Sequence, residues 1–348
     1  MDIIFATNNN FCQHAAVAIT SLLDNNKYHN IVIHLFCIDV TEENISKITS
    51  ITTNFNKEIK VYHINKDTFK DFPNPGNYSL ATYLRLITCT LLPNIDKALY
   101  LDCDLVVNGD IKELWNLDIT GYGAAGVPDA ILSHNIIKDY IGYDFIKEGY
   151  FNAGVLLLNL KYWKENDIQD KFFSFLRNHN AKLNDQDAIN AVLHGKIKAI
   201  PPKWNCHVGY FAFPPLVIKE QKKYIKELWS KAIIIHFTGP AKPWHKECVN
   251  PYKKVYLKYL KYTPYKDYCL KSLEDNNFKS TKVIFLYIFR YLMIQIIADI
   301  VYAEYTFFMC CKTVEFDFGS NLPAKFFEGM CNSFIFKKRA ETSSSKFF

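Results

Sequence analysis

Two carboxylates one residue apart, Asp102 and Asp104, stand in the middle of the apolar stretch Lys97–Val107, KALYLDCDLVV. Burying an unneutralised carboxylate is costly, so acids in such a run need a partner. In extended chain the side chains alternate, which turns both acids to one face and Cys103 to the other. Oxygens placed in this way can converge on one hard divalent cation, Mg²⁺ or Mn²⁺. The pair also fits a strand end whose acids face water or cap the next turn, and its spacing leaves both readings open. Other positions carry compatible chemistry. Arg85 lies in the apolar helical segment Tyr78–Leu92, where a guanidinium either meets an anion or reaches the helix surface. Asp185-Gln186-Asp187 opens the helical segment Leu183–Leu193 behind Asn184, a candidate cap, although the helix dipole alone favours acids there. His236 follows the apolar strand Ala232–Ile235, and imidazole is a common companion of carboxylates around a divalent metal.

The elements that must position these groups are legible as alternating strands and helices. Asp2–Ala6 is a short apolar strand, Phe11–Leu23 has helical spacing, Ile31–Ile38 is a second strand, and Ile59–Ile64 a third. Thr41 followed by Glu42 and Glu43 marks a helix start between the last two. This β-α-β-α-β order with near-continuous apolar strands predicts a mostly parallel sheet flanked by helices, with ligands beyond the carboxyl ends of the strands. Asp129 comes just past a further strand, Tyr122–Val127, and Asn152-Ala153-Gly154 is a small-residue turn feeding the strand Val155–Leu158, where a ligand could approach the backbone closely. Asn8-Asn9-Asn10 occupies the turn after the first strand, where a dinucleotide-binding fold would carry G-x-G-x-x-G, and there is no G-x-x-x-x-G-K-[ST]. A phosphatase of the haloacid-dehalogenase type sets its Asp-x-Asp after the first strand, which is not the case here.

At 348 residues the chain can form one large domain with an appendage, or two domains, and 49% hydrophobic residues exclude global disorder. The ten cysteines are scattered, several inside apolar runs, with no C-x-x-C pair, so free thiols in a reducing cytosol are expected rather than a disulfide framework or a zinc site. The chain enters a strand at once, and no signal peptide is expected. The net charge of +6 is concentrated after Tyr252, where Lys alternates with Tyr and Phe. That pattern predicts an anionic partner, acidic lipid or nucleic acid. The apolar segment 283–311 is long enough to span a bilayer but is interrupted by Arg290, Gln295, Asp299 and Glu304. It is therefore expected to lie in the membrane interface or to pack on the domain.

In these pieces, FATNNN, TYLRL, LYLDCDLVV, YFNAGVLLLNL, NDQDAIN and HFTGPAKPWH, the sequence resembles the retaining glycosyltransferase family 8, which includes bacterial lipopolysaccharide galactosyl- and glucosyltransferases and glycogenin. The resemblance spans roughly residues 2 to 250. It implies a nucleotide-sugar transferase fold of the A type for residues 1–250, with 251–348 a basic, aromatic helical extension. It further implies a UDP-sugar donor and Mn²⁺, or Mg²⁺, as cofactor. By the same resemblance Asp102, Asp104 and His236 match metal ligands, and Asn8, Asn10 and Asp102 match the uridine end of the site. Arg85, Asp129, Asn152, Ala153, Asp185 and Gln186 match donor-sugar contacts, with Gln186, Asp129 and Asp185 nearest the reaction. Gly239 and Lys242 match the loop that contacts the diphosphate. The activity implied is transfer of glucose or galactose to a lipopolysaccharide core at the inner face of the cytoplasmic membrane, which selects anionic lipid over nucleic acid for the basic tail. A protein or other polysaccharide acceptor, or a non-catalytic sugar-nucleotide-binding role, remains as an alternative.

Overall fold

Seven strands pair in the order β3-β2-β1-β4-β7-β6-β8. They are β1 (Asp2–Asn8), β2 (Val32–Ile38), β3 (Glu58–His63), β4 (Lys97–Leu101), β6 (Ala124–Pro128), β7 (Phe151–Asn159) and β8 (Ile197–Ala199). The computed structural model describes residues 1–272 apart from 74–78, 130–140, 180, 182, 208–209, 211–227, 229, 240–241 and 249. β1 lies parallel to β2 and β4, β2 to β3, and β6 to β8, whereas β7 runs antiparallel to both β4 and β6. The sheet is thus mixed and mostly parallel. From β1 the chain winds outward through β2 and β3, then returns to set β4 on the other side of β1. The order reverses between β1 and β4, and at such a reversal the loops part to leave a crevice at the carboxyl ends of the strands. Asn8 closes β1 and Asp102 follows β4, so both stand at that crevice.

The sheet is covered on both faces, as its continuous apolar strands require. Residues of β4 alternate between the two layers: Leu99 and Leu101 join one cluster, Ala98 and Tyr100 the other. In β1, Ile3 and Phe5 face the first layer and Ile4 the second, all fully buried. Each such side chain stabilises the fold by roughly 1.5–3 kcal/mol. On the first face lies α1 (Cys12–Asn25), apolar on most sides because it is packed between the sheet, a second small sheet and a C-terminal helix. α2 (Glu42–Asn54), capped by Thr41 Oγ1 accepting from Asn44 N, covers β3 beside it.

The small sheet orders as β5-β10-β9, from β5 (Leu105–Val107), β9 (Cys206–His207) and β10 (Ile234–His236). The stretch KALYLDCDLVV is therefore two strands in two sheets, joined by a bend at Cys103-Asp104. The expected helix over Tyr78–Leu92 is instead a 3₁₀ run, Leu80–Ile87, followed by one α-turn, Thr88–Leu91. Residues three apart eclipse in a 3₁₀ helix, which lines Thr82 up with Arg85.

Beyond residue 250 the helix Lys253–Leu260 buries Tyr256, Tyr259 and Leu260 in the same core as α1. The expected C-terminal region thus begins with a segment that shares the core of the sheet. Among the described residues no helix is long and apolar enough to cross a membrane. The segment 283–311 lies outside the described residues.

Candidate active site

The two sheets meet at three side chains. Asp102 hangs from the end of β4, Asp104 precedes β5, and His236 ends β10, paired with Leu105 across the small sheet. His236 Nε2 lies 3.1 Å from Asp104 Oδ1 and 3.7 Å from Asp102 Oδ2. One ligand atom from each of the three lies within 4.8 Å of the others. The space they share exists because residue 154 has no side chain: a β-carbon there would stand 2.1 Å from His236 Cε1. Two carboxylate oxygens and an imidazole nitrogen, so gathered, fit a divalent cation such as Mn²⁺ or Mg²⁺. Asp104 also accepts from Lys242 Nζ at 2.5 Å. Burial alone would raise the Asp104 pKa, but Lys242 and His236 outweigh it and hold the carboxyl well below the usual range. Cys103 turns away, its thiol donating to Ala6 O at 3.2 Å.

Arg85 links this cluster to a second one. Its Nη2 donates to Asp102 Oδ1 at 2.8 Å, its Nε lies 2.9 Å from Asp185 Oδ2, and its Nη1 donates to Ala153 O at 2.6 Å. The guanidinium stacks over the Tyr100 ring at 4.4 Å, and the Tyr100 hydroxyl donates to Asp102 Oδ1. Burial opposes the charge, but Asp102 and Asp185 more than offset it, so Arg85 is held cationic. Asp185 also accepts from Thr82 Oγ1, and burial pushes its carboxyl up to about 6 against the pull of Arg85 and Thr82.

The three residues at the start of the helix Asn184–Val192 have separate partners. Asp185 takes Arg85. Gln186 Oε1 accepts from Ala153 N at 3.0 Å, and its Nε2 reaches Asp129 Oδ2 at 3.4 Å. Asp187 accepts from Leu183 N at 2.7 Å and from the Tyr150 hydroxyl at 2.6 Å. The helix start is therefore tied by Asp187. Asn184, the expected cap, is itself the first helical residue, with φ of 49° and its Oδ1 taken by Tyr83. Asn152 Nδ2 lies 3.4 Å from Gln186 Oε1.

At the end of β1, Asn8 Oδ1 accepts from Phe11 N and its Nδ2 donates to Ser79 Oγ at 2.7 Å, so its amide orders the turn and ties it to the 3₁₀ run. Asn10 is exposed in that turn. Gly239 is exposed with φ of +83°, a conformation glycine adopts without strain. Lys242 follows on the same loop, anchored by Trp244, which stacks on His14 of α1 with ring centroids 3.4 Å apart. His14 in turn bonds the Tyr256 hydroxyl at 2.7 Å. The turn after β1, through Phe11, the loop that carries Lys242 and the C-terminal helix are thus held by one aromatic cluster.

The sequence profile of glycosyl transferase family 8 matches residues 2–248. The chain belongs to glycosyl transferase family 8. This family 8 glycosyltransferase is 30% identical to a lipopolysaccharide 1,2-glucosyltransferase of Escherichia coli K12 over 77% of its own length and 79% of that protein. It is 26% identical to a lipopolysaccharide 1,3-galactosyltransferase of Salmonella typhimurium over 74% of its length and 76% of that protein. Among solved structures it is similar to galactosyltransferase LgtC in complex with donor and acceptor sugar analogues, at 26% identity and a TM-score of 0.70, covering 76% of this chain and 96% of that one. The fold is the A-type nucleotide-sugar transferase fold and the chain a hexosyltransferase.

Several residues of this transferase's candidate site carry little signal in the sequence. Tyr100 was within reach, since period-two alternation sets it on the face of Asp102. Thr82 depended on the 3₁₀ geometry. The lack of a side chain at Gly154 predicts room for a ligand, whereas the ring of His236 fills it. Asn205, whose Oδ1 lies 3.0 Å from His236 Nδ1, carried no local signal at all.

Proposed function

We propose that the protein transfers glucose or galactose, with retention, from a UDP-sugar to a lipopolysaccharide core acceptor. The observation that carries this reading is the convergence of Asp102, Asp104 and His236 at the β1/β4 crevice, with the Arg85–Asp185 pair directly behind Asp102. The names of the similar enzymes, lipopolysaccharide glucosyl- and galactosyltransferases, support the donor and acceptor classes. A divalent ion on Asp102, Asp104 and His236, Mn²⁺ or Mg²⁺, would supply positive charge where the departing diphosphate gains negative charge.

The remaining work falls to the chain itself. Lys242, already on Asp104, adds cationic charge beside the leaving group, and the Gly239 backbone N–H is a further donor for the diphosphate. Asn8 and Asn10, at the head of the crevice, take the uridine. Asp185 and Asp129 accept from sugar hydroxyls. Asp185 can do so while bound to Arg85 and Thr82, because a carboxylate has about four lone-pair sites. Arg85, Asn152 and Ala153 line the donor-sugar side. Gln186 is an amide and a poor nucleophile, so the acceptor attacks on the face the leaving group departs from, and the leaving phosphate takes the acceptor proton. A covalent sugar adduct on Gln186 or Asp129, found by mass spectrometry of a stalled variant, would overturn this step. The test of the whole reading is UDP release by purified protein from a panel of UDP-sugars, with and without Mn²⁺, using truncated core oligosaccharides as acceptors. Metal-dependent transfer from UDP-glucose or UDP-galactose is expected; no turnover of any UDP-hexose with any divalent ion would leave the non-catalytic reading.

The basic, aromatic C-terminal region is proposed to dock on anionic lipid at the inner face of the cytoplasmic membrane, where such an acceptor is presented. Because Tyr256 and Leu260 belong to the core, the test removes residues 273–348 and adds Lys254→Gln, Lys258→Gln and Lys261→Gln, whose side chains are exposed. The truncated protein should keep UDP-sugar binding and lose co-sedimentation with anionic vesicles. Undiminished co-sedimentation would refute the anchor.

A further inference from the structure

We propose that Asn205 is a positioning residue that fixes which nitrogen of His236 carries a proton and so leaves the other available to a cation. The inference rests on the metal site proposed above. Its starting point is a backbone amide. Gly154 N donates to Asn152 Oδ1 at 3.0 Å, and since a backbone N–H can only donate, the atom it meets must be the amide oxygen. Asn205 approaches that same oxygen at 2.8 Å, so the group it presents there is its NH₂. Its own oxygen is then turned the other way, to His236 Nδ1 at 3.0 Å. An amide oxygen can only accept, so Nδ1 bears a proton. Nε2, on the opposite side of the ring, faces Asp104 Oδ1 and Asp102 Oδ2 and is the atom left to share a cation with them.

The chain of amides is shielded from water, which would otherwise satisfy either orientation. Asn205 is fully buried, and His236 and Asn152 nearly so. Reversing the Asn205 amide would set two oxygens face to face at Asn152 and two donors face to face at the ring. Backbone pairing holds the residue in place: β9 lies parallel to β10, with Cys206 opposite Ile235 and His207 opposite His236, so Asn205 arrives beside the ring from the strand next to it. The network then continues through Asn152 Nδ2 to Gln186 and from Gln186 to Asp129. The same row of amides therefore ties the metal-binding imidazole to the residues assigned to the donor sugar.

Groups that orient a metal-binding histidine typically change metal affinity by about 10–100-fold when removed. Asn205→Leu, which keeps the bulk and removes the acceptor, should weaken Mn²⁺ binding by that factor in an electron paramagnetic resonance titration. Asn205→Asp, buried and so protonated on the oxygen that faces Asn152 Oδ1, keeps its other oxygen as acceptor for the Nδ1 proton and should bind Mn²⁺ within about a few-fold of the parent protein. Circular dichroism melting shows that each variant is folded. ¹⁵N-histidine spectra of the Mg²⁺-loaded protein, assigned with a His236→Gln variant, should place the proton on Nδ1 and none on Nε2. Equal losses in the Leu and Asp variants, unchanged affinity in the Leu variant, or a neutral ring protonated on Nε2 would each overturn the inference. If the parent protein binds no Mn²⁺, the metal reading falls, and the metal-free spectrum still decides this one: a proton on Nδ1 upholds it and a bare Nδ1 overturns it.

Discussion

The ring of His236 packs against the backbone of Gly154, so closely that a β-carbon on residue 154 would lie 2.1 Å from His236 Cε1 and 2.7 Å from Asp102 Oδ2. The ring cannot simply swing aside, because Asn205 holds one edge and Asp104 the other. Gly154→Ala must then displace the histidine or bend β7. Overpacking of this kind costs typically about 1–3 kcal/mol. We expect a stability loss of that size in urea melts and, if the cluster holds the proposed cation, at least about tenfold weaker Mn²⁺ binding as a ligand and its Asn205 support are moved. Parent-like metal affinity in the alanine variant would mean that the ring is free to relocate and that the packing does not set the site.

Asp102 and Asp104 look equivalent in sequence and are not. Asp104 meets His236 and Lys242, whereas Asp102 receives Arg85 and the Tyr100 hydroxyl. Both Asp→Asn variants should abolish turnover if the pair holds the cation. Asp102→Asn should in addition remove the charge partner of a buried guanidinium, at a cost of about 1–3 kcal/mol. A double-mutant cycle with Arg85→Leu tests this: Asp102→Asn should lower the urea midpoint less in the leucine background than in the parent, and equal losses in both would show that Arg85 is satisfied by Asp185 alone.

The fold was largely legible because parallel strands buried on both faces read as continuous apolar runs. Ile31–Ile38 became Val32–Ile38 and Ile59–Ile64 became Glu58–His63. The candidate metal pair was legible too, but for a partly mistaken reason. Alternation along one extended strand predicts the pairing of the two acids, whereas the chain bends between two sheets at Cys103-Asp104 and the third partner sits 132 residues away. What could not be read were contacts that depend on how elements meet. Thr82 joins Asp185 only because the segment winds as a 3₁₀ helix, and Asn205 reaches His236 only through the pairing of β9 with β10. Asp187 resembled its neighbour Asp185 in sequence, yet it ties down the helix start while Asp185 meets Arg85.

Arg85 spans two carboxylates at almost complete burial, each of the charged groups depending on the others. Removing one partner of a buried ion pair leaves the rest uncompensated and costs about 3–5 kcal/mol. Arg85→Leu should therefore lose that much in chemical denaturation. Arg85→Lys keeps the charge but, as a single ammonium, cannot reproduce a planar fork that meets Asp102, Asp185 and Ala153 O at once, so it should fall between the two. A leucine variant within about 1 kcal/mol of the parent would contradict the buried-pair reading.

Two buried histidines make the fold sensitive to acid. Burial holds His14 well below its usual 6.5 and lowers His207 to about 4, with Asp104 and Asp129 respectively opposing the shift. Both rings are thus neutral in the folded protein at pH values where the unfolded chain would already protonate them. Between those pKa values the two rings make the unfolded state bind more protons, so together they make stability rise with pH up to about 6.5, outweighing the single buried carboxyl of Asp185, whose pKa of about 6 acts the other way. For His207 alone the loss reaches about 3 kcal/mol at pH 4. Urea midpoints measured from pH 8 to pH 4 should stay level above 6.5 and decline beneath it. His14→Gln removes one titrating ring, so its decline should be shallower even though its stability at pH 8 is lower for want of the stack on Trp244. A variant curve parallel to the parent's through this range would exclude His14 as a source of the acid sensitivity.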